Sequence, residues 1–372
     1  MSVNAQTVSA GEALEVLEAG WRAQAAGGLT ASWMLHGRPG VGKTQVVAEL
    51  AHRIGAELYD LRLTTIEPQD LRGLPYYDHE TRRTVWYRPE DLPDDPERPA
   101  VLFLDELTSA APWLQPTVYG LLQERRVGRH RLPGSVFVVA AGNTVEDGAV
   151  AYEMGTALSD RLIHLAVRAS AEDWLTGFAV DRGIHPAVTA FLRARPDLLE
   201  TTEETLKRGL TVACTPRAWE RVSDIMKSVP WGRPARAMIA GTVGEAPAAE
   251  FAVVAEDVAA SLELDALLAA PPKDRWALYP DTLNGLNALV YALAGAADEA
   301  RIAPAIEVMA GLRELPKRRG EEVFRRLPLG ELTAFGFEML IRKALEAGLQ
   351  DAFLRSEAYA AYAAERRAAG LE

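Results

Sequence analysis

The sequence predicts an α/β protein, with a parallel five-stranded sheet built around a phosphate-binding loop and all-α segments after it. Two stretches predict the core. The first is His36-Gly37-Arg38-Pro39-Gly40-Val41-Gly42-Lys43-Thr44, a glycine, four free positions and then Gly-Lys-Thr. The second is Val101-Leu102-Phe103-Leu104-Asp105-Glu106, a wholly apolar run that ends in two acids. The third observation is the change near Ala171, where apolar runs give way to helically spaced ones.

In chain order, residues 10–26 read as a helix before Gly27-Gly28. Ser32-Trp33-Met34-Leu35 is a short apolar strand that feeds the loop. Residues 44–54 have helical apolar spacing, with Gly55 as the stop. Glu57-Leu58-Tyr59-Asp60-Leu61-Arg62-Leu63 alternates as a second strand, and residues 67–75 form a loop with an acidic-basic centre. Tyr76-Tyr77 and Val85-Trp86-Tyr87, separated by polar residues, read as a small hairpin at about 74–88. Residues 91–99, rich in proline and acid, are a surface loop leading into the acid-terminated strand.

Residues 113–123 read as a helix. The basic run Arg125-Arg126-Val127-Gly128-Arg129-His130-Arg131 follows, either a solvated loop or a pore or subunit contact. Residues 135–142 form another buried strand, ending at Asn143, and residues 162–167 form the fifth, preceded by Leu158-Ser159-Asp160-Arg161. Short helices follow at 171–182, 186–193 and 216–228. Thr215-Pro216-Arg217-Ala218 puts proline in a first helical turn with Arg217 directly behind it. Residues 260–372 are rich in alanine and leucine, with helical spacing at Leu283, Leu286, Leu289, Val290 and Leu293, and carry no chemical motif. The expected division is an α/β core at 1–168, a helical lid at 169–258 and a helical packing or docking domain at 259–372.

The chemistry follows from residue types. Gly37, Gly40 and Gly42 let the backbone curl so that its N–H groups face phosphate oxygens. Pro39 and Val41 complete the loop. Lys43, Thr44 and Gln45 open a helix whose dipole adds positive potential. ATP or ADP is the expected ligand, with Lys43 on the β- and γ-phosphates and the Thr44 hydroxyl on Mg²⁺. Asp105, ending a buried strand, is placed to hold Mg²⁺ through water, and Glu106 to orient and polarise the attacking water. The Asn143 amide can hold that water or the γ-phosphate.

Composition is that of an ordinary globular protein, 48% hydrophobic and 25% charged over 372 residues. No apolar run approaches a membrane span and no basic-then-apolar leader opens the chain, so the cytoplasm is the expected compartment. The lone Cys214 excludes an internal disulfide. A formal net charge of −12 argues against general nucleic-acid binding, though a ring pore needs only a few basic residues.

Taken together, these ordered motifs resemble the AAA+ ATPases, and within them the MoxR-like branch, over roughly residues 33–258. Residues 37–44 match Walker A and residues 101–106 match Walker B. Asn143 falls at the sensor-1 position. Gln69-Asp70-Leu71-Arg72-Gly73 is similar to the element before the family's helix-2 hairpin insert. Leu158-Ser159-Asp160-Arg161-Leu162 matches the arginine-finger segment through Arg161, and Thr215-Pro216-Arg217-Ala218 matches sensor 2 through Arg217. Two departures stand out: Thr108-Ser109 where the branch has Asn-Arg, and Thr144 where it has proline.

The resemblance implies a homo-oligomeric, commonly hexameric, ring in which Arg161 reaches the nucleotide of the neighbouring subunit. It also implies a partner carrying a von Willebrand factor A domain. Read from the residues alone, Arg161 could instead pair with Asp160 or Asp181, and Arg217 could be a helix-surface arginine. The leading expectation is an ATP-driven remodelling or chaperone-like motor acting on an unidentified client. The rivals are a nucleotide-gated scaffold with little hydrolysis, motivated by Thr108-Ser109, and a nucleic-acid-stimulated motor of the restriction-associated type, motivated by residues 125–131.

Overall fold

The apolar runs lie side by side as parallel strands in the computed structural model, which describes residues 4–143, 159–320 and 322–370. The strands in chain order are β1 (Thr7–Val8), β2 (Ser32–His36), β3 (Glu57–Arg62), β4 (Pro75–Asp78), β5 (Arg83–Trp86), β6 (Ala100–Asp105), β7 (Arg126–Val127), β8 (His130–Arg131), β9 (Val136–Gly142) and β10 (Leu162–Val167). Six of them form one parallel sheet in the order β1-β10-β2-β9-β6-β3. The five expected strands are all in it. The sixth, the two-residue β1, pairs with Ala166 and Val167 at the edge and is too short for a sequence pattern to reveal.

Alternation within each run explains why both faces are covered. Val101 and Phe103 of β6 join Phe137, Val139 and Ala141 of β9 beneath α1 (Ala10–Ala25) and α2 (Lys43–Arg53). Leu102 and Leu104 join Val136, Val138 and Ala140 on the opposite face. That face is covered by α4 (Gln115–Glu124), with Leu71 of α3 (Pro68–Arg72) in the same cluster. A parallel strand buried on both sides has no polar face, hence the continuous apolar runs. Ser9 starts α1 as a capping box, its hydroxyl accepting from Glu12 N–H while the Glu12 carboxylate takes Ser9 N–H.

The two aromatic runs form the antiparallel hairpin β4–β5, with Tyr76 opposite Val85 and Tyr76 stacked on Tyr87 at 4.6 Å. The basic run forms the smaller hairpin β7–β8. Its first member, Arg125, turns inward to donate to the Val136 carbonyl, and Arg126 pairs with Glu124 at 2.6 Å.

By internal packing the chain divides into two units, residues 1–170 with 202–209, and residues 171–201 with 210–372. In the second unit the helix Leu283–Gly295 is the centre. It packs against Pro186–Ala194, Glu245–Ser261 and Leu329–Glu346. Its residues 285–294 are buried on all sides, so the helical spacing seen in the sequence marks only part of its buried surface. Phe191, Trp219 and Phe251 form an aromatic cluster with centroids 5.2–5.8 Å apart. No helix among the described residues is long and apolar enough to cross a membrane.

His185 caps the helix Pro186–Ala194 by accepting Ala187 N–H on Nδ1, which requires a neutral ring. Burial, aided by Lys227, pushes His185 down to about 4. Because the folded pKa lies below the unfolded value of about 6.5, the unfolded chain takes up the proton first, and stability falls as pH drops from there towards 4. Chemical denaturation should show His185→Asn, which caps without titrating, losing on the order of 3 kcal/mol less across this window than the wild type. Equal losses in both proteins would show that His185 carries no such linkage.

Candidate functional site

The carboxyl edge of the sheet gathers the motif residues. In register, Leu35 lies beside Ala141 and His36 beside Gly142, while Leu104 lies beside Ala140 and Arg62 beside Asp105. The ends of β2, β6 and β9 therefore meet where the strand order reverses around β2, the place where α/β sheets bind ligands.

Gly37, Pro39, Gly40, Val41 and Gly42 link β2 to α2, and Lys43, Thr44 and Gln45 form its first turn. Gly40 and Gly42 have φ of +85° and +102°, a region that costs a side chain about 1–2 kcal/mol. Gly37 is required for another reason: a Cβ there would run into the Val167 carbonyl. Gly37 N–H donates to the Gly142 carbonyl at 3.3 Å, which fixes the loop to β9.

Lys43 is only 8% exposed, so its ammonium must find partners. It donates to the carbonyls of Gly37 and Arg38, the latter at 3.0 Å, and to Asn143 Oδ1 at 3.0 Å. Thr44 Oγ1 lies 3.4 Å from Asp105 Oδ2. These hard oxygens, one from each motif, face each other closely enough to share a cation, which fits the donor set Mg²⁺ takes when phosphates supply the rest. Asp105 is also 8% exposed, and its other oxygen accepts Glu106 N–H at 2.9 Å.

Glu106 has φ +60°, uncommon for a residue with a side chain. The turn points its carboxylate at the Thr64 hydroxyl, which donates to it, and towards Arg62 at 3.9 Å. Strain of this kind, of order 1–3 kcal/mol, is retained where surrounding structure enforces it. Asp60, one strand over, is raised by burial and by the Asp105 carboxylate. Arg38 of the loop pairs with Glu203 at 2.7 Å; Lys207 and Arg38 together hold Glu203 down at about 2.

The structure thus brings Lys43, Thr44, Asp105 and Asn143 together, with Glu106 adjoining. Arg161 stands apart, exposed just before β10, where it donates to Gln123 at the end of α4. Asp181 pairs with Lys343 in the second unit. Arg217 is the second residue of the helix Pro216–Ser228, which Thr215 caps at 3.0 Å. Thr144 and Leu158 lie outside the described residues.

Sequence reading missed Thr64, whose only signal is its place just past a strand that neighbours β6. It also missed a pair of histidines. His36 and His164 stack at 5.1 Å with Nε2 and Nδ1 2.8 Å apart. His164 Nε2 lies 2.9 Å from the Ser159 carbonyl; the neutral tautomer that donates there leaves Nδ1 to accept from His36.

This arrangement defines the P-loop class of α/β folds. Residues 32–162 match the family model of the AAA domain (dynein-related subfamily). The chain is 36% identical over 115 residues to the ATPase family gene 2 protein homolog B of Mus musculus and to that of Bos taurus. These matches cover 31% of the chain but only 13% and 12% of those relatives. Among solved structures, it is similar to the RuvB Holliday junction branch migration motor of Thermotoga maritima, with 14% identity, a TM-score of 0.33, and coverage of 90% of this chain and 86% of that one.

Packing of the loop against β10 is testable without ligand. Gly37→Ala should lower the urea-unfolding free energy by roughly 1–3 kcal/mol as the new methyl displaces the Val167 carbonyl. An unchanged midpoint and slope would show that the loop does not lie against β10.

Proposed function

We propose that the chain is a Mg²⁺-dependent ATPase that uses hydrolysis to remodel a partner protein. The observation that carries this reading is the convergence of Lys43, Asn143, Thr44 and Asp105 at one sheet edge within hydrogen-bond reach. A glycine turn carrying an isolated lysine would show no such convergence. Similarity of residues 32–162 to the AAA domain and the ATPase relatives supports the same reaction class.

In the proposed reaction, water attacks the γ-phosphorus of ATP, and the bond to the β-phosphate oxygen breaks to leave ADP and phosphate. The glycine loop and the start of α2 grip the phosphates. Lys43, already ringed by oxygens, exchanges carbonyl acceptors for phosphate oxygens and neutralises charge developing in the transition state. Thr44 and Asp105 would hold Mg²⁺, which when bound would supply positive charge against the phosphates. Glu106 orients the water and accepts its proton once its carboxylate turns from Thr64. Asn143, tied to Lys43, positions the γ-phosphate or the water.

Arg161, exposed before β10, supplies charge to the site of the next subunit in a homo-oligomeric ring, a hexamer by resemblance. Arg217, second residue of the helix Pro216–Ser228, is the position the resemblance assigns to sensor 2. The β4–β5 hairpin, with Tyr77 and Tyr87 exposed, meets the client, and a von Willebrand factor A domain protein is the partner class the resemblance favours. The nucleic-acid reading is weakened because Arg125 is turned inward and Arg126 is paired with Glu124.

The test is steady-state hydrolysis alongside nucleotide binding. Glu106→Gln should bind ATP like the wild type yet lose about 100-fold or more in kcat, while Lys43→Ala should lose binding itself. Unchanged hydrolysis in Glu106→Gln removes Glu106 from the mechanism. Tight binding without turnover in the wild type, with or without partners, favours the scaffold instead.

A further inference from the structure

The chain carries Thr108-Ser109 two and three residues beyond the acids, and neither side chain has an obvious role in phosphate chemistry. Leu107–Ser109 forms a single tight turn directly after the left-handed Glu106, which aims Thr108 back across the end of β6 towards β9. Thr108 is buried there. Its hydroxyl donates to the Asn143 carbonyl at 2.9 Å and accepts the Asn143 N–H at 3.0 Å.

One hydroxyl therefore takes both backbone groups of a residue that lies just beyond the strand ladder, where β6–β9 pairing has already stopped at Leu104 and Ala140. The neighbouring residue makes room for it. A Cβ on Gly142 would stand 2.6 Å from both Thr108 Cγ2 and Oγ1. The Thr108 methyl fills the volume that any side chain at 142 would need, so glycine at 142 and threonine at 108 are sterically matched.

We propose that Thr108 is a positioning residue: by clamping the Asn143 backbone it aims the Asn143 amide at Lys43 and couples the Glu106 turn to the phosphate loop. This rests on the ATPase reading of the site and deepens it. The chain of contacts is continuous, from Glu106 through the Leu107–Ser109 turn to Thr108, across to Asn143, and from Asn143 Oδ1 to Lys43 Nζ at 3.0 Å. A displacement of Asn143 by about 1 Å costs little binding but a large factor in rate, because reaction depends on alignment far more steeply than affinity does. Thr108-Ser109 is then a different way of fixing the sensor rather than a sign of lost hydrolysis.

The experiment uses the full chain with Thr108→Val, Thr108→Ser, Asn143→Ala and the Thr108→Val/Asn143→Ala double variant. Hydrolysis at saturating MgATP is measured together with the Kd of a fluorescent ADP analogue. Thr108→Val keeps the shape and loses both hydrogen bonds, so kcat should fall about ten-fold or more with Kd within roughly three-fold. Thr108→Ser should recover most of the rate, and the double variant should be no slower than Asn143→Ala, since Thr108 acts through that side chain. A wild-type rate in Thr108→Val overturns the proposal, as does a loss that multiplies with that of Asn143→Ala. Should Thr108→Val not fold, Thr108→Ala takes its place under the same criteria.

If the wild type hydrolyses no ATP, the ATPase reading falls on that result alone. The positioning claim is then decided by crystal structures of the wild type and Thr108→Val. Movement of Asn143 Oδ1 away from Lys43 Nζ supports it, and an unmoved pair overturns it.

Discussion

A lysine ammonium almost out of water is the constraint to which the rest of the first unit answers. Taking an unpaired cation out of water is prohibitively costly, so Lys43 is tolerable only where several oxygens surround it. Two come from the start of its own loop and one from Asn143 beyond β9. That demand fixes β2 next to β9, and Gly37 N–H on the Gly142 carbonyl secures the same junction. Such a site suits the proposed phosphate ligand, because exchanging carbonyls for phosphate oxygens would leave the ammonium surrounded by oxygen throughout.

The acidic side of the site is held by geometry rather than by burial alone. Asp105 is the one polar residue of an otherwise apolar strand, and it sits at that strand's carboxyl end, on the sheet edge. Glu106 then departs from ordinary backbone geometry, and the turn that follows carries Thr108 back onto Asn143. Thr64, from beyond β3, holds the Glu106 carboxylate to one side. Four separate strand ends thus converge on a space that no single segment defines.

Much of this was legible in the residues. Buried parallel strands need apolar side chains on both faces, so β2, β6, β9 and β10 announce themselves as runs, and the glycine loop and the paired acids mark their ends. The hairpin β4–β5 was legible from aromatic runs split by polar residues. What escaped depends on apposition. Thr64 and Thr108 are ordinary hydroxyls until strand order brings β3 and β9 beside β6, and the His36–His164 pair exists only because β10 lies next to β2. β1 holds its place by pairing with an edge, a signal two residues cannot carry. In the second unit, residues 285–294 are buried all round, so periodicity understated the core.

On binding nucleotide, Lys43 is proposed to trade its carbonyl acceptors for phosphate oxygens while Thr44 and Asp105 share a cation. A crystal structure of the full chain with Mg²⁺ and a non-hydrolysable ATP analogue decides whether this exchange occurs. Phosphates are expected inside the loop of residues 37–44, with Lys43 Nζ on a β- or γ-oxygen and Mg²⁺ bound to Thr44 with Asp105 behind a water. A nucleotide lodged elsewhere, or Lys43 still bonded to Gly37 and Arg38 beside an empty loop, would contradict it.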